Sequence, residues 1–159
     1  MEETIAALNP RFEERGVFFV VGPSERYNHS EIAGIPAQWQ RFVPHIGKIP
    51  GQVGWTTYGV CHNFDGAGNF DYICGVEVSG DSPVPEGLMQ LSVDAQKYAV
   101  FTHRDHISQI GKTWDAIYNS WPKMSGHALV QAPQFESYGP DFNPRAGTGV
   151  VEIWIPIGR

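Results

Sequence analysis

The sequence predicts an α+β domain made of two similar strand-helix-strand-strand units, with an antiparallel sheet, two helices on one face and a ligand groove between the halves. Two observations predict the duplication, because two apolar helical stripes and two strand acids, Glu77 and Glu152, are each separated by 75 positions. The matching helix positions are Ile32, Ile35, Trp39 and Phe42 and then Ile107, Ile110, Trp114 and Ile117. We expect one domain over residues 1–159, with pseudo-repeats at about 11–79 and 88–158.

Composition and charge exclude several classes of protein. A chain of 159 residues with 42% hydrophobic residues is long enough for one compact core. Its net charge of −6 argues against direct nucleic-acid binding, because that affinity comes mainly from Lys and Arg side chains that neutralise phosphates. The chain starts without a basic leader, and no apolar run reaches the roughly 20 residues that span a bilayer. We expect a cytoplasmic protein without a membrane partner.

The first half predicts a strand, a helix and a hairpin. The β-branched and aromatic run at residues 17–21 is typical of a strand. A helical stripe covers residues 30–43, and Pro36 either kinks this helix or begins it at its first position. Residues 57–64 and 70–78 flank a turn-rich segment and predict a β-hairpin.

The second half repeats this order. A strand at residues 97–102 leads into a helix for which Asp105 is the predicted N-cap. Pro122 and Gly126 are expected to end that helix. The remaining predicted strands are short ones around residues 129–130 and 135–138 and a last strand at residues 150–157.

Side-chain alternation predicts which residues share a face of the sheet. In the last strand, the Val and Ile side chains should pack on the helices, which leaves Glu152 and Trp154 on the opposite face. In the hairpin, Tyr58 lies opposite either Gly75 or Glu77, and in both registers Tyr58 and Glu77 share a face.

Glu136 is a third acid among aromatic residues, and it shares a face with Tyr138. Such a carboxylate suits a flat, apolar and cationic ligand, because aromatic ring faces attract the cation and the carboxylate neutralises it. Alternatively, a desolvated carboxylate has a raised pKa and acts as a general base on a water. A cross-strand ion pair with a residue such as Lys97 or Arg145 is the structural alternative.

Metal and cofactor chemistry is not predicted. His103 and His106 lie close together at a strand-helix junction, but a third ligand is not evident. No glycine pattern occurs in the strand-to-helix context of a phosphate-binding loop. Cys61 and Cys74 lack metal-type spacing and are expected to be reduced thiols. We expect no metal and no cofactor.

Four segments carry a family resemblance: residues 98–103, 114–118, 132–138 and 151–157. They read Tyr-Ala-Val-Phe-Thr-His, Trp-Asp-Ala-Ile-Tyr, Ala-Pro-Gln-Phe-Glu-Ser-Tyr and Val-Glu-Ile-Trp-Ile-Pro-Ile. These segments resemble the gyrase-inhibitor-like (GyrI-like) small-molecule-binding family, also known as the effector-binding domain of AraC-type and multidrug-responsive regulators. The resemblance covers nearly the whole chain and is most specific in the second half.

The resemblance implies a duplicated fold whose central groove takes aromatic and often cationic compounds. Drug-binding members place a buried Glu against the ligand at the position of Glu136, and family members carry tyrosines at Tyr58 and Tyr98 and an acid at Glu152. Some members are similar to hydrolases that open the cyclopropane ring of DNA-alkylating compounds. Others bind DNA gyrase or sense ligands for an attached DNA-binding domain. Because the chain starts at Met1 with no helix-turn-helix segment, we do not expect a direct regulator.

Three functions follow as hypotheses. The first is binding of aromatic or cationic small molecules, as in multidrug binding or toxin protection, with Glu136 as the charge partner. The second is cyclopropane hydrolysis, in which Glu136 or Glu152 acts on the attacking water. The third is an effector-sensing domain of a transcription regulator, or a protein that docks on gyrase or another nucleic-acid enzyme, although the acids are spread along the chain. The other residues expected at the ligand are Tyr58, Tyr98, Tyr138, Trp39, Trp154, Glu77 and Glu152. No oligomeric state is predicted.

Overall fold

In the computed structural model, which describes residues 9–158, nine strands form one antiparallel sheet. The strands are β1 (Arg11–Arg15), β2 (Phe18–Gly22), β3 (Ser24–Asn28), β4 (Gln52–His62), β5 (Asn69–Val78), β6 (Met89–Val93), β7 (Gln96–His103), β8 (Gln134–Asn143) and β9 (Thr148–Pro156). The helices are α1 (Ile35–Phe42), α2 (Ile110–Asn119) and α3 (Trp121–Ser125), with 3₁₀ turns at Val43–His45 and Ile107–Gln109. This architecture confirms the predicted α+β class.

The strand order shows how the two halves meet. Across the sheet it is β1-β7-β9-β8-β4-β5-β2-β6, and β3 pairs with β5 alongside β2. The first half supplies β4, β5 and β2, while the second supplies β8, β9 and β7. The antiparallel ladder between β4 and β8 therefore joins the halves, and we call it the seam. The register of β4 on β5 puts Tyr58 opposite Gly75, one of the two predicted alternatives.

Two short connections show that the sheet is strongly curled. β1 and β2 lie at opposite ends of the strand order, yet only Gly16 and Val17 connect them. β6 and β7 also lie toward opposite ends, and only Asp94 and Ala95 connect them. Three successive peptide units span at most about 11 Å. The two edges of the sheet therefore approach each other, and the sheet forms a partly closed barrel.

Apolar residues pack on both faces of the curled sheet. The inner face encloses a cluster in which the Phe18 and Phe135 rings, from distant strands, lie 5.4 Å apart. On the outer face, α1 packs on β5 through Phe42 and Trp39, and α2 and α3 pack on β7 and β9. Ile153 and Ile155 of β9, with Ile157 just after it, pack against these helices, as alternation predicted. No helix within residues 9–158 is long and apolar enough to cross a membrane.

The first helix is shorter than the predicted segment. It begins at Ile35 with Pro36 in its first turn, so the proline starts the helix and does not kink it. Val43 lies in the following 3₁₀ turn and is exposed, as is Ile32 before the helix. The polar Gln38 is buried instead, and its burial is tolerated because its side-chain amide donates hydrogen bonds to the carbonyl oxygens of Pro23 and Tyr72.

The second helical region corrects two predictions. His106, and not Asp105, caps it, since the His106 side chain accepts a hydrogen bond from the Ser108 backbone N–H. Pro122 does not end the helix. It lies in the first turn of the separate helix α3, which ends at Gly126 in the left-handed conformation.

Three strands fall where the sequence predicts no element. β1, β3 and β6 are short and largely polar or half-exposed, so their composition lacks the β-branched pattern of a buried strand. Cross-strand pairing to β7, β5 and β2 stabilises them. The predicted strand near residues 129–130 is only an isolated bridge between Leu129 and Ile157.

The acids at Glu77 and Glu152 do not occupy equivalent positions. β1 begins at residue 11 and β6 at residue 89, and both have five residues, which gives a separation of 78 positions. In β2 and β7 this separation relates Val20 to Tyr98. Val20 lies opposite Glu77, whereas Tyr98 lies opposite Pro156. Glu77 therefore corresponds to Pro156 and not to Glu152, because the separation of 75 positions that relates the two helices does not hold for the strands.

Gly22→Ala tests the close approach of β2 and β5. A Cβ on Gly22 would lie 1.8 Å from the carbonyl oxygen of Cys74, which is backbone and cannot swing away. We expect the free energy of unfolding to fall by at least about 2 kcal/mol, as over-packing does. Gly139→Ala is the matched control in β8, where a Cβ would meet nothing within 4 Å, and its change should stay within about 0.5 kcal/mol. Urea unfolding measures both, and equal midpoints would contradict the close approach.

Candidate functional site

The outer face of the seam forms a strip between the two groups of helices. In this strip, which we call the seam groove, Gly59 lies opposite Glu136 and Cys61 lies opposite Gln134. Tyr138 lies two residues beyond Glu136 and therefore on the same face. Because Glu136 is also opposite Ile153, whose side chain packs under α2 and α3, the register fixes Glu136 on the helix side of the sheet.

Two aromatic donors hold the Glu136 carboxylate. The Trp114 indole Nε1–H on α2 donates a hydrogen bond to Glu136 Oε2 at 2.7 Å. The Tyr138 hydroxyl donates a hydrogen bond to Glu136 Oε1. Glu136 keeps partial exposure to solvent, although protein surrounds its carboxylate closely. The carboxylate is thus fixed in position by neutral donors.

Burial raises the pKa of Glu136 above its usual value, because the surrounding protein disfavours the charged form. Hydrogen bonds from Tyr138 and Trp114 lower the pKa and oppose this effect without cancelling it. A weaker attraction from His103 acts in the same direction. Any cation placed against Glu136 would lower its pKa further and would be attracted by the ionised form.

The opposite side of the groove is also aromatic. The Trp39 indole Nε1–H on α1 donates to the Tyr72 hydroxyl at 2.9 Å, in a position that parallels Trp114 on α2. A Cβ on Gly59 would lie 2.2 Å from this hydroxyl, so the glycine lets the Tyr72 phenol cross β4 toward Glu136. The Tyr138 ring meets the Trp39 ring edge-on at 5.4 Å. Aromatic contacts therefore bridge both halves above the seam.

The rim of the groove on the α2 side is formed by Tyr118. Its ring stacks on Trp114 with 5.9 Å between centroids, and its hydroxyl donates to Gln134 Oε1. Burial raises the pKa of Tyr118 and of the Cys61 thiol, so both stay protonated near neutral pH. Neither group is a nucleophile in this state.

The structure does not bring all the predicted site residues together. It places Glu136, Tyr138 and Trp39 in the seam groove, but five others project from the inner face, on the far side of the sheet. These are Tyr58, Tyr98, Trp154, Glu77 and Glu152. The expectation that these five residues line a groove with Glu136 is wrong, because their side chains project from one face of the sheet and the Glu136 side chain projects from the other.

The inner-face residues have partners of their own. Tyr58 and Tyr98 are buried in the interior cluster. Glu77 pairs with Arg15 at 2.8 Å. Glu152 pairs with Arg11 at 2.9 Å. The ion pair of Glu136 with Lys97 or Arg145, which was the structural alternative, does not occur among the described residues. Glu152 also lines a separate cleft of about 250 Å³ with Thr56, Ser137, Gly139, Pro140, Asp141 and Val150.

Sequence reasoning missed several residues of the groove, among them Trp114, Tyr72 and Gly59. Trp114 is visible as the repeat partner of Trp39, and this match was a signal that both indoles serve one site. Tyr72 follows from alternation in the hairpin, since it lies on the face opposite Tyr58. Nothing in the sequence marks Gly59, because its role depends on the ring that crosses it.

Glu136→Gln tests the cost of burying this carboxylate. The folded chain holds the proton of Glu136 more tightly than the unfolded chain does, so the native protein loses stability as pH rises from the usual Glu range through the raised pKa. The variant has no such loss, and its free energy of unfolding relative to the native chain should therefore rise over this window. Urea unfolding at a series of pH values measures the difference, and a difference independent of pH would contradict a raised pKa.

Comparison with characterised proteins gives a relative and a set of solved structures. The chain is 36% identical over 155 residues to the transcriptional regulator BrlR of Pseudomonas aeruginosa. The match covers 96% of this chain and 57% of BrlR, so the chain spans little more than half the length of that regulator.

Three solved structures share the fold at low identity. SAV2435 bound to tetraphenylphosphonium has a TM-score of 0.73 at 17% identity, with 94% of this chain and 94% of SAV2435 covered. An integron cassette protein of Vibrio cholerae has a TM-score of 0.63 at 22% identity, with 93% of this chain and 95% of that protein covered. EcmrR in complex with DNA has a TM-score of 0.66 at 12% identity, with 95% of this chain and 57% of EcmrR covered. These identities establish the fold alone.

The match to a protein family extends over almost all of the chain. A model of the GyrI-like small molecule binding domain matches residues 8–158. That range includes both halves of the sheet, all three helices and the seam groove. The chain therefore belongs to the family of GyrI-like small-molecule-binding domains.

Proposed function

We propose that this protein binds hydrophobic aromatic cations in the seam groove, with Glu136 as the charge partner. The proposal rests on a comparison of Glu77, Glu152 and Glu136, the acids in apolar strands, by whether each has an ion-pair partner. Glu77 and Glu152 are paired with Arg15 and Arg11. For Glu136, no Lys, Arg or His within residues 9–158 lies within 4.0 Å of the carboxylate. Glu136 is thus the acid whose charge a ligand would neutralise.

The side chains around Glu136 fit an aromatic cation. Trp114 and Tyr138 donate hydrogen bonds to the carboxylate, and the Trp39 ring contacts both Tyr138 and Tyr72. A cation over such a ring gains about 0.5–2 kcal/mol, with the larger values in desolvated sites. A delocalised organic cation also loses less hydration on burial than an ammonium does, so it suits a groove in which the carboxylate is closely surrounded by protein.

Ligand entry requires the aromatic side chains to move. Trp114 and Tyr138 donate hydrogen bonds to the two carboxylate oxygens of Glu136. The Trp39 and Tyr138 rings are in contact across the groove. A ligand therefore binds by separating the Trp39 ring of α1 from the Tyr138 ring, and its cation compensates the charge of Glu136. Such a coupling of occupancy to helix position is the property that a ligand sensor needs.

The comparisons support a binding role. SAV2435, which shares the fold, was solved with the aromatic cation tetraphenylphosphonium, and BrlR is a transcriptional regulator. We infer that the groove serves effector sensing for a regulator or the sequestration of a toxic compound in the cytoplasm. Both roles need the same binding chemistry at Glu136.

Hydrolysis of a cyclopropane electrophile is a second candidate, favoured by the raised pKa of Glu136. A carboxylate destabilised by burial has increased proton affinity and can take a proton from an attacking water. Mass spectrometry of the protein incubated with a cyclopropane-containing alkylating agent detects the water-added product. The product should form with native protein and with Glu152→Gln, and not with Glu136→Gln.

Glu136→Gln should weaken the binding of tetraphenylphosphonium, or of a planar cationic dye such as ethidium, by about tenfold or more. The amide keeps the shape of the side chain but removes the charge that the cation meets. Glu152→Gln is the matched control, because it removes an acid from the same sheet on the other face. Isothermal titration of the three proteins decides the matter, and equal affinities would remove Glu136 from the ligand site.

Affinity for these permanently charged ligands should rise with pH through the raised pKa of Glu136 and then stay constant. Below that pKa the carboxyl is neutral and attracts no cation, whereas above it the charge is complete. Glu136→Gln supplies the reference, since its weaker binding should not follow pH over the same window. A native affinity that falls as pH rises would have the wrong sign for this site.

A further inference from the structure

The inner face of the sheet holds a second arrangement of aromatic rings around a cation. The Arg15 guanidinium carbon lies 3.7 Å from the centroid of the Phe18 ring. It also lies 5.5 Å from the Tyr58 ring and 5.9 Å from each of the Phe135 and Trp154 rings. We call these four rings, with the Glu77 carboxylate, the inner cage.

Glu77 completes the chemistry of the inner cage. Arg15 Nη2 donates to Glu77 Oε1 at 2.8 Å, and both side chains are about three-quarters buried. A planar guanidinium stacks over a ring and donates in its own plane, so ring and carboxylate can hold it together. An ammonium is compact and strongly hydrated, and it would lose the stacking on Phe18. The inner cage is therefore matched to guanidinium in shape as well as charge.

The inner cage is distinct from the seam groove. Tyr58 and Phe135 project to the inner face, while their chain neighbours Gly59 and Glu136 form the floor of the groove on the outer face. The sheet separates the two carboxylates, Glu77 and Glu136. A ligand in one of the two sites makes no contact with the charged group of the other.

The resident cation can leave without disrupting the sheet. Arg15 is the last residue of β1, an edge strand whose one partner within residues 9–158 is β7. Gly16 follows in open space, and Val17 is exposed. The Arg15 side chain keeps 23% of its surface in solvent, so it is not sealed inside the curled sheet. Rotation of one side chain at a strand end would empty the cage.

We propose that the inner cage is a second cation site, selective for guanidinium-type compounds, which Arg15 occupies in the resting protein and which a small guanidinium ligand fills when that side chain is withdrawn. Such a ligand replaces the charge beside Glu77 and the stack on Phe18. It also breaks the ion pair through which β1, at one edge of the sheet, is held to β5 near the other edge. Occupancy of the cage therefore releases one end of β1.

The test uses methylguanidinium as the probe and Glu136→Gln as the parent, so that the seam groove carries no charge in any sample. Adding Arg15→Ala empties the cage. Millimolar methylguanidinium should then raise the Tm of the double variant by a few degrees in a saturable way, and should raise that of the parent less, because Arg15 competes with the probe for the cage. Methylammonium is charged but not planar, and urea is planar but uncharged. Neither compound should give such a rise.

Two further variants keep the outcome decisive. Glu77→Gln added to the double variant should abolish the rise, because it removes the carboxylate that the probe meets. If Arg15→Ala does not fold alone, Arg15→Lys retains a positive charge beside Glu77, and methylguanidinium should stabilise it by displacing the weaker ammonium. Equal Tm changes in the parent and in the Arg15 variants, or no change in any of them, would overturn the proposal and leave Arg15 as a structural residue. Since the parent lacks the Glu136 charge, neither result bears on cation binding in the seam groove.

Discussion

The antiparallel ladder between β4 and β8 is the interaction on which the rest of the structure depends. It joins the two halves into one sheet and places Gly59 opposite Glu136 and Val60 opposite Phe135. A slip of one residue would turn Glu136 into the apolar interior and bring Phe135 out beneath the helices. The interior cluster, which includes both Val60 and Phe135, therefore selects the register that exposes Glu136 to the groove.

The groove costs stability that the rest of the fold supplies. A buried carboxylate with only neutral donors is less favourable than an apolar side chain in its place, and the raised pKa of Glu136 reflects that cost. Three apolar clusters surround the seam, one inside the barrel and one beneath each group of helices. They fix the backbone on all sides of Glu136, so the strain of a desolvated charge is confined to one position.

Periodicity within one element was enough to predict much of this fold. The Ile-Ile-Trp stripes located both helices, and alternation placed Glu136 and Tyr138 on one face. Alternation is local, however, and cannot relate faces of strands whose neighbours are unknown. Glu77 and Glu136 fell on opposite faces only once β4 was known to lie between β5 and β8. The curl was equally hidden, because a two-residue link such as Gly16-Val17 reads as an ordinary tight turn until its strands are assigned to opposite edges.

Glu77, Glu136 and Glu152 show three ways to satisfy a carboxylate in an apolar sheet, and the differences between them support the proposal of Glu136 as the ligand site. Glu152 meets Arg11 near the surface and also accepts from Trp154, so its charge is compensated and partly solvated. Glu77 meets Arg15 inside the barrel, where the chain provides its own cation. Glu136 receives hydrogen bonds but has no ion-pair partner within 4.0 Å among the described residues. Hydrogen bonds orient a carboxylate without removing its net charge, so an incoming cation gains most at the one acid that the fold has oriented and left uncompensated.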